Sequence, residues 1–388
     1  MISRPALLVA LALLSCRRAP STASPAGTAT GPAPSVPTAS APTTIATPAA
    51  APPPPWICAA EPLWSFPGSP SMPPEAIALD STSVYAAVLR ECPKSNAGIW
   101  RIGRASGAAA VVLRRSTLVE AMAAGDGLLA FTDVDTCSGS LFQNRPDPHR
   151  LIRMQSDGGA ETGWRVEAQG PGGQTRFTGL ALVGGVPYVT TSLGTVERPR
   201  TGGEAQVLAR VPGEAFSPVA VNGYVYFGVT SGGHAGSIAR VPLEGGEART
   251  VVQDDVVEGV ASVVRVGNLL AYLVRPRGGA SAIRAVPLGD TPQIARDLVN
   301  AESGAVFSPD GALAVARGAA VYVVKDAAGR RSIRAVSPAS GSTWTVVAAQ
   351  AGLLVADDTS LYWVDDFSAA RSGAAGPPLG VTGCRIRP

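Results

Sequence analysis

From about Trp56 onward, short apolar runs alternate with turns of Asp, Asn, Gly and Ser in a pattern that repeats along the chain. Ala76-Ile77-Ala78-Leu79 leads through Asp80-Ser81-Thr82-Ser83 into Val84-Tyr85-Ala86-Ala87-Val88. Met122-Ala123-Ala124 turns at Gly125-Asp126-Gly127 into Leu128-Leu129-Ala130-Phe131, and Leu180-Ala181-Leu182 turns at Gly184-Gly185 into Pro187-Tyr188-Val189. Val219-Ala220-Val221 turns at Asn222-Gly223 into Tyr224-Val225-Tyr226-Phe227, and Val263-Val264-Arg265-Val266 at Gly267-Asn268 into Leu269-Leu270-Ala271-Tyr272. Ala305-Val306-Phe307 is expected to turn at Ser308-Pro309-Asp310-Gly311 into Leu313-Ala314-Val315. Leu353-Leu354-Val355-Ala356 is expected to turn at Asp357-Asp358-Thr359-Ser360 into Leu361-Tyr362-Trp363-Val364. Asn-Gly and Asp-Gly between apolar runs are the strongest short-range hairpin signal.

Most hairpins are followed by a third strand: Gly98 to Ile102, Leu151 to Met154, Ser237 to Leu243, Ala282 to Leu288 and Ser332 to Pro338. The hairpins number seven and mostly recur at 39 to 48 residues, with a longer step of 58 that places insertions around Ser138 to Pro148 and Gly170 to Gln174. A four-strand unit of roughly 45 residues is the period of a propeller blade. The alternative, a two-sheet sandwich, does not require such a period. The last unit holds only one strand after its hairpin, Gly383 to Arg387, while Glu61 to Phe66 has no partner. Placing the latter in the seventh blade removes an open edge. The fold expected is an all-β, seven-bladed β-propeller, closed by N- and C-terminal strands in one blade and preceded by a disordered linker.

That closure brings Cys58 beside Cys384. Cys92 and Cys137 stand 45 residues apart, one repeat, in equivalent loops of adjacent blades. With Cys16 set aside, four cysteines allow three pairings. The pairing expected is Cys58–Cys384 and Cys92–Cys137, in an oxidising, exported setting. No Cys-x₂₋₄-Cys pair of a zinc site occurs.

The first residues follow another pattern. Pro5 to Leu14 is a ten-residue apolar run behind a single basic residue, too short for a bilayer span of about 20 residues. Its proportions are those of a signal peptide. It ends in Leu13-Leu14-Ser15-Cys16, which resembles the bacterial lipoprotein signal of an aliphatic residue, a tolerant position, a small residue and Cys. The resemblance implies cleavage after Ser15 and lipid on Cys16. Arg17 stands where Asp marks inner-membrane retention in such lipoproteins, so the outer membrane is favoured. Ala19 to Pro55 consists of Ala, Pro, Ser, Thr and Gly apart from Val36 and Ile45. Such a segment cannot repay the entropy of folding and acts as a semi-extended tether. The division expected is 1–15 signal peptide, 16–55 lipidated Cys and tether, 56–388 propeller.

The repeats themselves resemble bacterial propellers of the YWTD and TolB-like kinds. Leu361-Tyr362-Trp363-Val364-Asp365 is similar to a YWTD repeat with Val for Thr, and Phe307-Ser308-Pro309-Asp310-Gly311 to a TolB-type turn. The resemblance covers Trp56 to Pro388 and implies architecture more than function.

Composition narrows the chemistry. The hydrophobic fraction of 46% suffices for a core, and 44 Gly with 34 Pro suit many short strands. Basic residues (32) nearly balance acidic ones (29) without a basic stripe, which argues against a nucleic-acid partner. Only two histidines exist, His149 and His234, and no Gly-x-Ser-x-Gly elbow, phosphate loop or His-Glu-x-x-His motif occurs. Gly125 to Ala130 matches a dinucleotide fingerprint in letters but leads into a strand, so it is read as a turn. Two acidic sets could offer calcium ligands: Asp133 and Asp135 with Thr136 and Ser138, and Asp357, Asp358, Asp365 and Asp366. Neither has a calcium-loop spacing, and turn acids are the simpler reading. His149 belongs to the polar insertion of the second blade. Tyr85, Tyr188, Tyr226, Tyr272 and Tyr362 recur with the blades and are read as inter-blade packing. No catalytic residue, metal or cofactor is assigned. The function expected is a monomeric, lipid-anchored cell-envelope module that binds or scaffolds a protein or glycan without catalysis. The alternative is a propeller lyase, cyclase or hydrolase using carboxylates at the central channel.

Overall fold

A computed structural model describes residues 55–66, 74–88, 98–114, 117–135, 150–166, 176–230, 236–254, 257–276, 281–289, 294–300, 306–307, 313–365 and 380–387. All fall in the unit Ala49–Pro388. The expected signal peptide, Cys16 and nearly all of the tether lie outside the described residues. So do Cys92, Cys137, both histidines and the two expected insertions.

The described residues form seven antiparallel sheets, the blades of a β-propeller. Blades 1 to 6 begin at Ala76, Thr117, Phe177, Glu214, Val257 and Val306, and blade 7 at Ala351. First strands of successive blades touch one another in an unbroken cycle, from blade 1 through blade 7 and back, so they line the axis. The hydrophobic core is likewise divided into clusters between adjacent blades.

Blade 7 closes the ring as expected. Its order is Glu61–Ser65, Gly380–Arg385, Ser360–Asp365, Ala351–Ala356, so the first strand of the chain becomes the outermost strand of the last blade. Glu61 pairs with Gly383 and Ser65 with Gly380, across a bulge between Pro62 and Trp64. The segment before and within this strand ties three blades together. Trp56 is 1% exposed and meets Trp344 of blade 6 edge-on at 5.7 Å, while the Trp344 indole N–H donates to Trp56 O at 3.0 Å. Trp64 lies 4.9 Å from Trp100 of blade 1.

Tight turns set the register. At Asp126-Gly127, Gly184-Gly185, Asn222-Gly223 and Arg317-Gly318 both central residues have positive φ, the mirror-image turn whose twist matches that of the flanking strands. Arg317-Gly318 corrects one expectation. Phe307 to Gly311 is not the hairpin of blade 6: Val306–Phe307 and Ala314–Ala316 both pair with Ala319–Lys325, as two pieces of one inner strand. The buried run Ala319–Lys325 needs a partner along its length, and only a turn after Ala316 provides one. Blade 2 shows the same break, with Thr117–Leu118 and Met122–Gly125 sharing Leu128–Asp135.

Inner strands of blades 3, 4, 5 and 7 also shift register, at Phe177/Gly179, Phe216/Val219, Val260/Ser262 and Ala351/Leu354. A bulge on each inner strand re-aims side chains where the strands approach the axis. At one of them Ser217 adopts φ 46°.

Candidate functional site

Each inner strand starts at the end of the ring where the second strand of its blade finishes: Ala76 pairs with Ala87 and Ala351 with Asp365. The loops 89–97 and 136–149, outside the described residues, leave from this same end. We call it the mouth. Among the described acids at this end are Glu75, Glu120, Asp133 and Asp365.

Glu75 immediately precedes the inner strand of blade 1 and is fixed by its N–H to Ala87 O, 3.0 Å. Its carboxylate accepts from the Val119 N–H of blade 2. Burial pushes it up to about 7 against the pull of that N–H, and the negative charge of Glu120 adds to the rise. Glu120 sits in the broken inner strand of blade 2, where its own N–H donates to the Thr132 hydroxyl at 3.1 Å. It reaches blade 3: Oε2 accepts from the Phe177 N–H at 2.6 Å, and Oε1 lies 3.7 Å from the Arg176 guanidinium. Burial raises its pKa, partly offset by the Phe177 N–H and Arg176.

The device continues around the ring. The Thr178 hydroxyl of blade 3 donates to Ala215 O of blade 4, the Ser217 hydroxyl to Ala261 O of blade 5 at 3.5 Å, and the Ser262 hydroxyl accepts from the Leu313 N–H of blade 6 at 3.0 Å. Five successive junctions are thus stapled by a polar side chain on one inner strand and a backbone group on the next. A charged acceptor on a backbone N–H is worth roughly 1.5–3 kcal/mol and a neutral pair about 1 kcal/mol. Sequence reasoning missed Glu75 and Glu120 entirely, because no local motif marks an acid whose partner lies on the next blade.

The sequence-derived candidates divide. Asp133 (7% exposed) and Asp365 are at the mouth. Burial raises the Asp365 pKa, opposed by a 3.1 Å hydrogen bond from the Trp363 indole. Asp357 and Asp358 lie at the other end of the same strand, so the acidic set drawn from blade 7 is no single site. Asp357 closes its turn by accepting from the Thr359 N–H (2.8 Å) and Ser360 N–H (2.9 Å), as Asp80 does from Thr82 and Ser83. It also pairs with Arg104 of blade 1 at 2.6 Å, and Asp358 accepts the Arg317 N–H at 2.6 Å. Thr136, Ser138 and Asp366 lie outside the described residues, as do the Asp135 side chain and His149. No group of three or more His, Cys, Asp or Glu able to hold a metal occurs among the described residues.

The recurring tyrosines are buried, from Tyr85 at 0% to Tyr362 at 5% exposed, and Tyr322 belongs with them. They do not all face one way. Tyr85, Tyr188, Tyr226 and Tyr362 pack toward the following blade, whereas Tyr272 and Tyr322 pack toward the preceding one. Several stand opposite an arginine on the third strand: Tyr85 with Arg101, Tyr226 with Arg240, Tyr272 with Arg284, Tyr322 with Arg334. Arg104, another residue missed in the sequence, crosses the closing junction. It donates to Tyr362 Oη (3.1 Å), Thr359 Oγ1 (3.0 Å) and Asp80 O (3.1 Å).

The chain enters the ring at the end opposite the mouth. Ile57 bridges to Arg387, and Cys58 lies at bonding distance from Cys384, S–S 2.05 Å and Cα–Cα 5.5 Å. Cys58 precedes the outer strand rather than lying on it, and Cys384 faces Leu361, beside the turn of blade 7.

No family model matches the sequence, and no curated protein sequence matches it. Solved structures match at the level of fold. A puromycin-hydrolyzing peptidase of Mycobacterium tuberculosis has TM-score 0.55 and 13% identity, covering 77% of this chain and 51% of that one. A prolyl endopeptidase has TM-score 0.53 and 14% identity, covering 78% and 47%. The chain therefore spans about half the length of these two enzymes. The WD40 propeller domain of Doa1 has TM-score 0.52 and 13% identity, covering 85% and 97%. At such identities the likeness is one of β-propeller architecture.

Proposed function

We propose that this chain is an exported lipoprotein, anchored through lipid on Cys16 to the outer membrane, whose propeller binds or scaffolds an envelope protein or glycan without catalysis. The observation that carries this reading is the ring of inner-strand staples. Glu75, Glu120, Thr178, Ser217 and Ser262 are engaged with neighbouring blades and make a rigid annulus rather than a reactive set. The YWTD/TolB-like kind is supported by Leu361 to Asp365, the second strand of blade 7, whose Tyr362 and Trp363 pack into opposite blade interfaces. We place the partner at the mouth because the loops 89–97 and 136–149, which hold Cys92, Cys137 and the expected insertion, follow strands that end there. We include the Cys92–Cys137 pairing in this reading. Photo-crosslinkers placed in loops 89–97 and 136–149 are expected to give a discrete protein or glycan adduct in cells, and crosslinkers at Gly184-Gly185 and Asn222-Gly223 none. Adducts from the second set alone would overturn the face assignment. A mature protein without the lipid mass on Cys16 would overturn the anchor.

One observation favours a second reading. Glu75, pushed up to about 7 beside Glu120, has the pKa of a general acid at the channel of a propeller hydrolase or lyase. Glu75→Gln separates the two: a binding module keeps its crosslinked partner, and an enzyme keeps substrate binding but loses turnover.

A further inference from the structure

The strand that closes the ring, Glu61–Ser65, lies at the outer edge of blade 7 and has a single strand partner, Gly380–Arg385. Pulled from its end, such a strand gives up its hydrogen bonds one after another. A strand held on both sides has to break two ladders at once. In a chain anchored at Cys16 whose ring is held by a partner, tension reaches the fold from the N-terminal side. It meets the fastenings in a fixed order: Trp56, Ile57, Cys58, and only then the edge strand.

These fastenings differ in kind. Trp56 is held by packing on Trp344 and by the one hydrogen bond that its carbonyl accepts, while its own buried indole N–H meets no acceptor. Ile57 is exposed and contributes only the backbone pair with Arg387, at 3.3 and 3.0 Å. Hydrogen bonds of this kind are individually weak. Cys58 is joined covalently to Cys384 on Gly380–Arg385, a strand paired with Ser360–Asp365 on one side and Glu61–Ser65 on the other. Both cysteines are buried in the same apolar cluster as Trp56 and Trp363, and Leu361, the register partner of Cys384, belongs to it too. A bond placed after the edge strand would also constrain the unfolded chain, but it would leave that strand in the path of the pull. Cys58 stands ahead of it.

We propose that Cys58–Cys384 is a tension clasp. It passes a pull arriving along the tether into an interior strand of blade 7 and keeps it off the edge strand that closes the ring. At rest the ring holds its shape through its own contacts. Under tension without the bond, Trp56, Ile57 and Glu61–Ser65 peel away in turn and uncover an edge of blade 7. The inference rests on the lipid-anchored reading and states where the pull of that anchor enters the fold.

The test is single-molecule pulling of the mature chain carrying Cys16→Ser. One handle is ligated at the start of the tether and the other in the loop 231–235, at the mouth end of blade 4. Forced unfolding is governed by the unfolding rate, so this readout is separate from equilibrium stability. The oxidised chain is expected to lengthen only in the main unfolding of the ring. Cys58→Ala with Cys384→Ala is expected to add an earlier step at lower force. Its length is up to roughly 65 Å, the chain from Trp56 to the next described fastening, the Glu75 N–H on Ala87 O. Reductant should produce the same step in the parent chain, and decides if the double variant does not fold. Cys92→Ser with Cys137→Ser should behave as the oxidised parent; an early step there overturns the assignment to Cys58–Cys384. An early step in the oxidised parent, or none once the bond is lost, overturns the clasp. Lipid on Cys16 without the early step keeps the anchor and removes the clasp. A mature protein without lipid removes the anchor and the cellular role of the clasp, while the early step still locates it.

Discussion

Replacing both Cys58 and Cys384 by Ala removes a bond that closes a loop of 326 residues. The strand Glu61–Ser65 stays paired with Gly380–Arg385, and Trp56 stays packed on Trp344, so the folded ring keeps its own fastenings. The loss therefore falls on the unfolded chain, which gains the freedom to separate its ends. The chain-entropy relation gives about 6 kcal/mol for a loop of this size, and measured disulfides reach about 5 kcal/mol, so we expect a loss of ~4–5 kcal/mol. For ~330 folded residues the unfolding entropy is about 0.7 kcal/mol per degree, which converts the loss to a drop in Tm of about 6–7 °C. The assay is thermal unfolding of the double variant beside the wild type, without reductant, so that any Cys92–Cys137 bond is untouched. Near-UV circular dichroism at low temperature should be the same for both. A Tm within about 1 °C of wild type would refute the argument, since no unfolded-state constraint of this length is that small. A lowered Tm with an altered near-UV spectrum would refute it differently, by showing that the bond holds native geometry.

Three further expectations follow from the junctions. Glu75 has a folded pKa near 7, above its ordinary 4.5, so folding favours its protonated form. Stability conferred by that form is present below about 4.5 and is lost as pH rises through about 7. Glu75→Gln should therefore gain on the wild type between pH 5 and 8 by about 1–2 kcal/mol after solvent screening, read as diverging melting temperatures; parallel curves would count against it. Arg104→Met removes the bonds to Tyr362, Thr359 and Asp357 across the closing junction and should cost about 2–4 kcal/mol in urea unfolding; a loss under about 0.5 kcal/mol would mean that the clasp is idle. Gly228→Ala puts a methyl 2.7 Å from Val260 Cγ1 between blades 4 and 5, for an expected loss of about 1–3 kcal/mol; Val260→Ala in the same chain should recover part of it, and no recovery would place the strain elsewhere.

What the sequence made legible is what depends on neighbours in the chain. Asn222-Gly223 and Asp126-Gly127 announce their turns because both central residues need positive φ, and the buried second strands announce themselves by length and apolar content. The closing strand was readable for a different reason. A blade with three strands and a stray strand at the other terminus make one consistent count, and Cys58 and Cys384 meet where that count closes the ring.

The inner strands are another matter, and so is the site they build. Where the hairpin of blade 6 falls depends on what Ala319–Lys325 must cover, a demand set by the next element and the neighbouring blades rather than by a local turn signal. The direction of a tyrosine depends on the parity of its strand: Tyr226 and Tyr272 are spaced like repeats of each other, yet they face one another's blades because a shift of one residue reverses every side chain. Glu75 and Glu120 follow the same logic. In the sequence each is a lone acid beside an apolar run, which reads as solvated surface. Only the break or bulge in the next blade's inner strand, offering a backbone N–H at Val119 or Phe177, turns that acid inward, where burial raises its pKa against the pull of that N–H. The chemistry of the mouth is therefore a property of pairs of blades. A search for it by motif fails in any propeller whose repeats, like these, share a strand pattern without sharing the residues that meet between them.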